Sequence, residues 1–344
     1  MNWMLAFVPV SLVARVAHLD VLTFAAAALA IIPLSGLIGK STEELAFHVG
    51  PRLGGLLNAT FGNLTELIVA VLLVTANEFA VAKASLTGSI IGNLLLVLGL
   101  AFVVGGARRS EQEFSARSAA VHSASLVLAV VALLMPAILV LTAPHVTPTQ
   151  RLTFSALVAA VLVLTYIATV VFTQVTHTHL FGAGEESGSA TWSRGRAGGL
   201  LLAAAVVVGV ESELLVSSLE PALHTLHLPT LFVGLIVIPV IGNAAEHSSA
   251  VLFALRNRMN ISLEIAIGSS SQVALFVAPA VVFVSLLLGH PMDFVFTGFE
   301  IATVAVATLT VTVVCMDGRS NWLEGAQLLG TYVIIAAAAF FVAG

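Results

Sequence analysis

Apolar windows of about 20 residues, the length that crosses a bilayer core as a helix, recur along the whole chain. They fall at approximately 3 to 17, 19 to 39, 56 to 76, 84 to 106, 115 to 141, 151 to 173, 197 to 219, 228 to 255, 262 to 288, 293 to 315 and 321 to 343. Of the 344 residues 59% are hydrophobic and 9% charged, and the mean hydropathy is +1.07. A soluble domain cannot hide that much apolar surface, so the pattern predicts an all-α polytopic membrane protein of about eleven transmembrane helices.

The few charges give the expected orientation. The thirteen Lys and Arg are scattered, which excludes the basic face of a nucleic-acid binder. When loops are numbered alternately, those around 40 to 55, 106 to 117, 174 to 196, 256 to 261 and 316 to 320 hold every Lys and Arg except Arg15, Lys83 and Arg151. The positive-inside rule then places these loops and the N-terminus in the cytoplasm and the C-terminus outside. The single cysteine, Cys315, excludes an intramolecular disulfide or a cysteine-based zinc cluster and reads as a buried, inert thiol. No basic residue precedes the first apolar run and no plain cleavage site follows it, so residues 1–18 read as a short helix rather than a signal peptide.

Two stretches share a spacing that membrane insertion alone does not explain. GNLTELIVAVL, from Gly62, and GNAAEHSSAVL, from Gly242, superpose at an offset of 180 residues. The same offset carries Gly88, Ser89, Leu95 and Val97 onto Gly268, Ser269, Leu275 and Val277 without a gap. Each copy sits in the second and third helices of a five-helix group, at 19–173 and 197–344, joined by a polar cytoplasmic linker at 174–196. Five is odd, so the second group enters the membrane from the opposite side, and the copies are inverted. Inverted repeats around a midplane site are an architecture of secondary transporters.

Each copy holds a carboxylate inside an apolar span, Glu66 and Glu246. Such a charge costs about 2.5–3.5 kcal/mol at the helix centre on insertion scales, so both are expected to face a polar interior. Asn63 and Asn243, three residues earlier, share the face of their glutamates. Gly62 and Gly242 permit a local break that frees backbone carbonyls. The following helices add Ser89 and Asn93, and the run Ser269, Ser270, Ser271, Gln272, of which Ser269 and Gln272 are favoured as site residues. His247 projects about 100° around the helix from Glu246 and is either a proton relay or an interhelical hydrogen-bond partner. Glu213 and Glu220, on the helix that opens the second group, are further candidates to line the path. Glu43, Glu44, Glu111, Glu113, Glu185 and Glu186 read mostly as solvated loop residues, and His177 and His179 as ordinary linker residues.

Two ionised glutamates neutralise one divalent cation, and two protonated ones are neutral without it. The empty, ionised carrier is costly to move through a low-dielectric barrier, so only the loaded or the protonated form should alternate. That is antiport. All-oxygen ligands in flexible geometry favour calcium over magnesium, and soft metals would want Cys or Met.

These motifs resemble the cation/proton exchanger family, the calcium/proton antiporters of the calcium/cation antiporter superfamily. The similarity runs from IIPLSGLIGKSTEELAFHVGPRLGGLLNATFGNLTELIVA through GSIIGNLLLVLG, then from SELLVSSLEPA through IPVIGNAAEHSSAV to GSSSQVALFVAP. It implies that Glu66 and Glu246 bind calcium and protons in turn, with Asn63, Asn243, Ser269 and Gln272 in the site or its gate. It also implies a homo-oligomer, particularly a trimer. The glutamate-rich cytoplasmic segment of some relatives is reduced here to Glu185 and Glu186. The compact chain fits a prokaryotic plasma membrane, and no cofactor is expected beyond the transported calcium. Sodium/calcium exchange, or exchange of another divalent cation, is the alternative. An intramembrane hydrolase leaves the duplicated glutamates unexplained, and a channel has no need of inverted halves.

Overall fold

The computed structural model describes residues 2–178 and 190–342. In chain order the helices are α1 (Phe7–Val16), α2 (Asp20–Val49), α3 (Pro51–Phe61), α4 (Leu64–Thr75), α5 (Phe79–Gly106), α6 (Ala116–Thr142) and α7 (Pro148–Thr176). There follow α8 (Arg194–Ser217), α9 (Leu219–Leu226), α10 (Thr230–Gly242), α11 (Ala244–Leu255), α12 (Met259–Leu287), α13 (Gly298–Val314) and α14 (Trp322–Val342). A short antiparallel pair, β1 (Gln112–Glu113) and β2 (Arg319–Ser320), sets Gln112 opposite Ser320.

Among the described residues seven helices are long and apolar enough to cross a membrane: α2, α5, α6, α7, α8, α12 and α14. The pair α9 and α10, bent by 120°, makes eight if read as one span, and α1, α4 and α13 are shorter apolar helices. Leu141, Leu164, Leu202 and Ile334 stand exposed on these helices. Lipid covers such faces, whereas water would drive them to associate. The protein is therefore an integral membrane protein.

Where the helices differ from the apolar windows, polar residues set the break. The windows at 56 to 76 and 228 to 255 are each interrupted at an asparagine: Asn63 takes φ −100°, ψ 27° and Asn243 φ −93°, ψ 7°, outside the helical wells. Asn is a poor helix former because its amide competes for backbone partners. The helix after the linker stops at Ser217, so Glu220, expected on that helix, instead opens α9.

The chain forms two compact units, one of Met1–Ser85, Glu185–Ala245 and Ala338–Gly344, the other of Leu86–Gly184 and Glu246–Ala337. In the first, α2 is packed by α1, α3, α8, α9 and α10. Leu34 and Ile38, one turn apart on α2, meet Leu201, Ala204 and Val208 of α8, with Phe61, Leu64 and Ile68 alongside. Gly50, at φ 85°, turns the chain out of α2, and Pro51 supplies the fixed φ that starts α3. One expectation is corrected here. Glu44 is not a solvated loop residue: α2 continues to Val49, and the buried carboxylate accepts the backbone N–H groups of Thr191 and Trp192 at 2.8 and 2.9 Å as well as the Thr191 hydroxyl. Glu185, Glu186 and His179 lie outside the described residues.

In the second unit α5 and α12 are both widened by π turns, at Gly92–Val97 in α5 and at Glu264–Gly268 and Val273–Val277 in α12. Such turns inside α-helices recur at functional sites. Gly325 brings α14 against the α5 backbone, where a Cβ would lie 2.6 Å from Val103 N and 2.7 Å from Gly99 O. Only glycine fits so close an approach. Cys315 is buried.

Candidate functional site

The first copy of the repeated motif lies in the first unit. Gly62 ends α3 with its N–H on the Asn58 carbonyl at 2.8 Å, and a Cβ at Gly62 would come within 2.6 Å of that same oxygen. The chain therefore needs glycine to close α3, break at Asn63 and restart as α4. Glu66 falls in the first turn of α4, where the exposed N–H groups and the helix dipole favour a negative charge. Asn63 is 1% exposed and Glu66 9%. Among the described residues Glu66 Oε2 is buried without a hydrogen-bond partner from the protein, a position in which an ionised carboxylate is costly unless it is protonated or balanced by a cation.

The backbone at the start of the second motif lies beside Glu66. Glu66 Oε1 lies 3.8 Å from the position a Cβ would take at Gly242, so the carboxylate faces the end of α10 directly. Asn243, 1% exposed, continues from that end and commits its amide nitrogen to the Pro239 carbonyl at 2.9 Å. The neighbouring Thr65 hydroxyl pairs with Ser35 of α2 at 3.1 Å. Glu66, Asn63, Gly242 and Asn243 thus belong to one unit.

The boundary between the units falls after Ala245, so Glu246 belongs to the second. It too occupies the first turn of its helix, α11. Its Oε2 accepts the Ser269 hydroxyl at 2.7 Å, and Asn93 Nδ2 donates to Ser269 Oγ at 3.2 Å. Asn93 stands in the π turn of α5, and Ser269 follows the first π turn of α12 directly. The structure separates the four polar residues of α12 by role. Ser270 donates to the Ala266 carbonyl at 2.9 Å and Ser271 to Ile267 at 3.0 Å, the backbone bonds of packed helical serines. Ser269 is the one of the three whose hydroxyl is on Glu246. Gln272 is half-buried one turn further along, and Ser89 is buried one turn before Asn93.

The remaining candidates are dispersed. His247 is half-buried beside Glu246. Glu213 is exposed and lines an apolar groove with Leu67, Val71 and Val210; Glu220 is exposed on α9. The buried acid of α8 is instead Glu211, 0% exposed and bonded to the Ser11 hydroxyl of α1 at 3.0 Å. His177 stacks on Phe172 with ring centres 3.9 Å apart.

Sequence reasoning passed over one cluster. In the second unit His122 Nε2 lies 3.1 and 3.2 Å from the two oxygens of Glu264, and the Ser118 hydroxyl donates to Oε2 at 3.3 Å. Two signals were available in the chain. Glu264 is an ionisable residue inside an apolar span, and Ser118 and His122 are spaced four apart on one helical face.

The chain as a whole is similar to known transporters. The sodium/calcium exchanger protein family matches residues 19–175 and 197–341. The Ca(2+)/H(+) antiporter of Aphanothece halophytica is 46% identical over 98% of this chain and 95% of its own length. The Ca(2+)/H(+) antiporter ChaA of Bacillus subtilis is 38% identical over 98% and 97%. The solved structure of native YfkE superposes with a TM-score of 0.85 at 36% identity over 97% of both chains. The H+/Ca2+ exchanger CAX superposes with a TM-score of 0.73 at 16% identity over 99% of this chain and 92% of its own, a likeness of fold alone. The chain belongs to the cation/proton exchangers of the calcium/cation antiporter superfamily.

Proposed function

We propose that this protein exchanges calcium for protons across a membrane by alternating access, with Glu66 and Glu246 binding calcium and protons in turn. The observation that carries this reading is the Glu66 carboxylate, buried at a helix break with one oxygen unpartnered among the described residues. A buried carboxylate there is neutralised by a proton or balanced by a hard cation. The recurrence of the same motif 180 residues later, in the first turn of α11, supports a paired role for Glu246. Two ionised carboxylates balance one divalent charge, and oxygen donors from Asn63, Asn243, Ser269 and Gln272 match the ligand preference of calcium.

The ten helices of the two five-helix groups form inverted repeats in this reading, with an N-terminal helix in front. The family match in two segments, 19–175 and 197–341, agrees with such a duplication. The names of the antiporter relatives support calcium and protons as the exchanged ions. We place the protein in a prokaryotic plasma membrane, with cytoplasmic N-terminus and external C-terminus on the distribution of Lys and Arg, and as a homo-oligomer by its family resemblance. No cofactor enters this cycle.

The test is calcium uptake into proteoliposomes holding the intact protein, driven by a pH gradient with sodium absent. Uptake that collapses when the pH gradient is dissipated supports proton coupling. Uptake that follows a sodium gradient and ignores pH replaces protons with sodium.

A further inference from the structure

Glu211 is a buried acid that the exchange cycle above does not use. It lies on α8, outside the repeated motif, and the residue 180 positions earlier is Ile31. Glu211 is 0% exposed, and among the described residues its hydrogen-bond partner is Ser11 of α1, with Oε1 and Oγ 3.0 Å apart. Oε2 is buried without a partner from the protein, as is the hydroxyl of Ser212 beside it.

The count of hydrogens fixes the charge of this pair. A serine hydroxyl has one hydrogen to donate. Ser11 Oγ also lies 2.7 Å from the Val8 carbonyl oxygen, which can only accept. With the serine hydrogen on that shorter bond, the contact with Glu211 needs a hydrogen from the carboxyl group. Oε1 is then the hydroxyl oxygen of a neutral acid and donates to Ser11. The ionised alternative would leave a carboxylate sharing one donor inside a membrane-spanning helix, which is the costly state.

Among the described residues no cation offsets that cost. The helices packed against α8 are α1, α2, α4 and α9. On α1 the titratable group is Arg15, 46% exposed and 3.9 Å from Asp20 of α2. Lys40, Glu44 and His48 of α2 engage Thr191 and Trp192, just before the start of α8 and about 25 Å from Glu211 along the axis. Glu43 is exposed. α4 presents Leu67 and Val71 to α8 while Glu66 faces Gly242. On α9 Glu220 and His224 are exposed. On α8 itself Arg194 and Arg196 lie at the far end, and the exposed Glu213 is about 200° around the helix.

The cover over Glu211 is thinly attached. Of the ten residues of α1 only Ser11 and Ala14 are buried, and Leu12, Val13 and Val16 stand exposed. We propose that Glu211 is an intramembrane proton-binding site covered by α1, and that its proton latches α1 to α8. The proton bridges Oε1 and Ser11 Oγ. When α1 lifts, the carboxyl group opens toward the end of α8, six residues and about 9 Å away. The Oε1–H bond then breaks and the proton passes to water; rebinding is the reverse. Docking of α1 takes up one proton, so it weakens as pH rises. One carboxyl group and one hydroxyl fall short of the six to eight oxygens that calcium takes, so the site holds a proton and not the transported ion.

The experiment compares wild type, Glu211→Gln and Ser11→Ala, each as the full chain in proteoliposomes. Infrared spectra at neutral pH should show a carbonyl band of a protonated carboxylic acid that Glu211→Gln removes and calcium leaves in place. Ser11→Ala should shift that band, because the acid loses its acceptor. Backbone hydrogen exchange across α1 is then measured against pH. The ratio of wild type to Glu211→Gln at each pH should climb, by up to about tenfold per pH unit, since glutamine donates to Ser11 but cannot ionise. A spectrum unchanged by Glu211→Gln and by Ser11→Ala overturns the proton site, and a band that calcium abolishes makes Glu211 part of the exchanged set instead. A ratio that stays flat with pH overturns the latch. None of these outcomes bears on whether calcium uptake follows the pH gradient, which tests the exchange reading separately.

Discussion

Two glycines at matching positions of the repeated motif have different work, and substituting each by alanine separates folding from ion binding. At Gly62 a Cβ would sit 2.6 Å from the Asn58 carbonyl oxygen, inside any real contact. Backbone has to move to admit it, so Gly62→Ala should cost about 1–3 kcal/mol of stability, as overpacking does. At Gly242 the nearest atom to a Cβ is Glu66 Oε1, 3.8 Å away, an ordinary van der Waals distance. Gly242→Ala should therefore fold as well as wild type. The new methyl nevertheless occupies one side of the carboxylate. Calcium binds oxygen at about 2.3–2.6 Å, so an ion on that side of Oε1 would be left within about 1.5 Å of the methyl carbon. Calcium affinity should fall by about tenfold or more, equivalent to about 1.4 kcal/mol. Thermal unfolding and equilibrium calcium binding on the purified variants measure the two effects independently. A Gly242→Ala protein that binds calcium like wild type would refute the assignment of this side of Glu66 to the ion.

The three serines of α12 should respond unequally. Ser269→Ala removes the donor on Glu246, and hydrogen bonds to charged groups are worth about 1.5–3 kcal/mol, so calcium affinity or the exchange rate should drop roughly tenfold or more. Ser270→Ala and Ser271→Ala remove hydroxyls that donate only to backbone carbonyls, at shorter distance on their own helix and at 3.3 and 3.4 Å on Ile90 and His122, and should stay nearer wild type in the same assay. Glu44→Gln weakens the charged cap that receives Thr191 and Trp192. It should lower thermal stability without changing calcium affinity.

The all-α membrane class was legible because hydropathy reports spans directly, whereas the described residues hold seven long apolar helices, or eight with the bent pair, against eleven expected. The long windows at 84 to 106, 115 to 141 and 262 to 288 correspond to α5, α6 and α12 with ends displaced by a few residues. Breaks were harder, since Asn63 and Asn243 sit inside windows whose average hydropathy stays high. Gly-Asn hinted at them, but backbone dihedrals decide where a helix stops. Local polar patterns also fail to say which hydroxyl faces a partner: Ser269, Ser270 and Ser271 are alike in sequence and differ by 100° of rotation each. Glu44 was misread because its partners, Thr191 and Trp192, are remote in the chain. His122 and Glu264 were missed for the same reason, as neither carries the duplicated motif that drew notice to Glu66 and Glu246. Pairing across 142 residues is a property of the fold.

The most direct measurement of the central claim is proton-coupled calcium uptake into proteoliposomes by wild type, Glu66→Gln and Glu246→Gln at matched protein density. Glutamine keeps the size and hydrogen-bonding shape of each side chain but can hold neither the charge nor the exchangeable proton. Uptake by each variant is expected to fall to the leak of protein-free liposomes. Either variant exchanging calcium for protons at the wild-type rate would contradict the account.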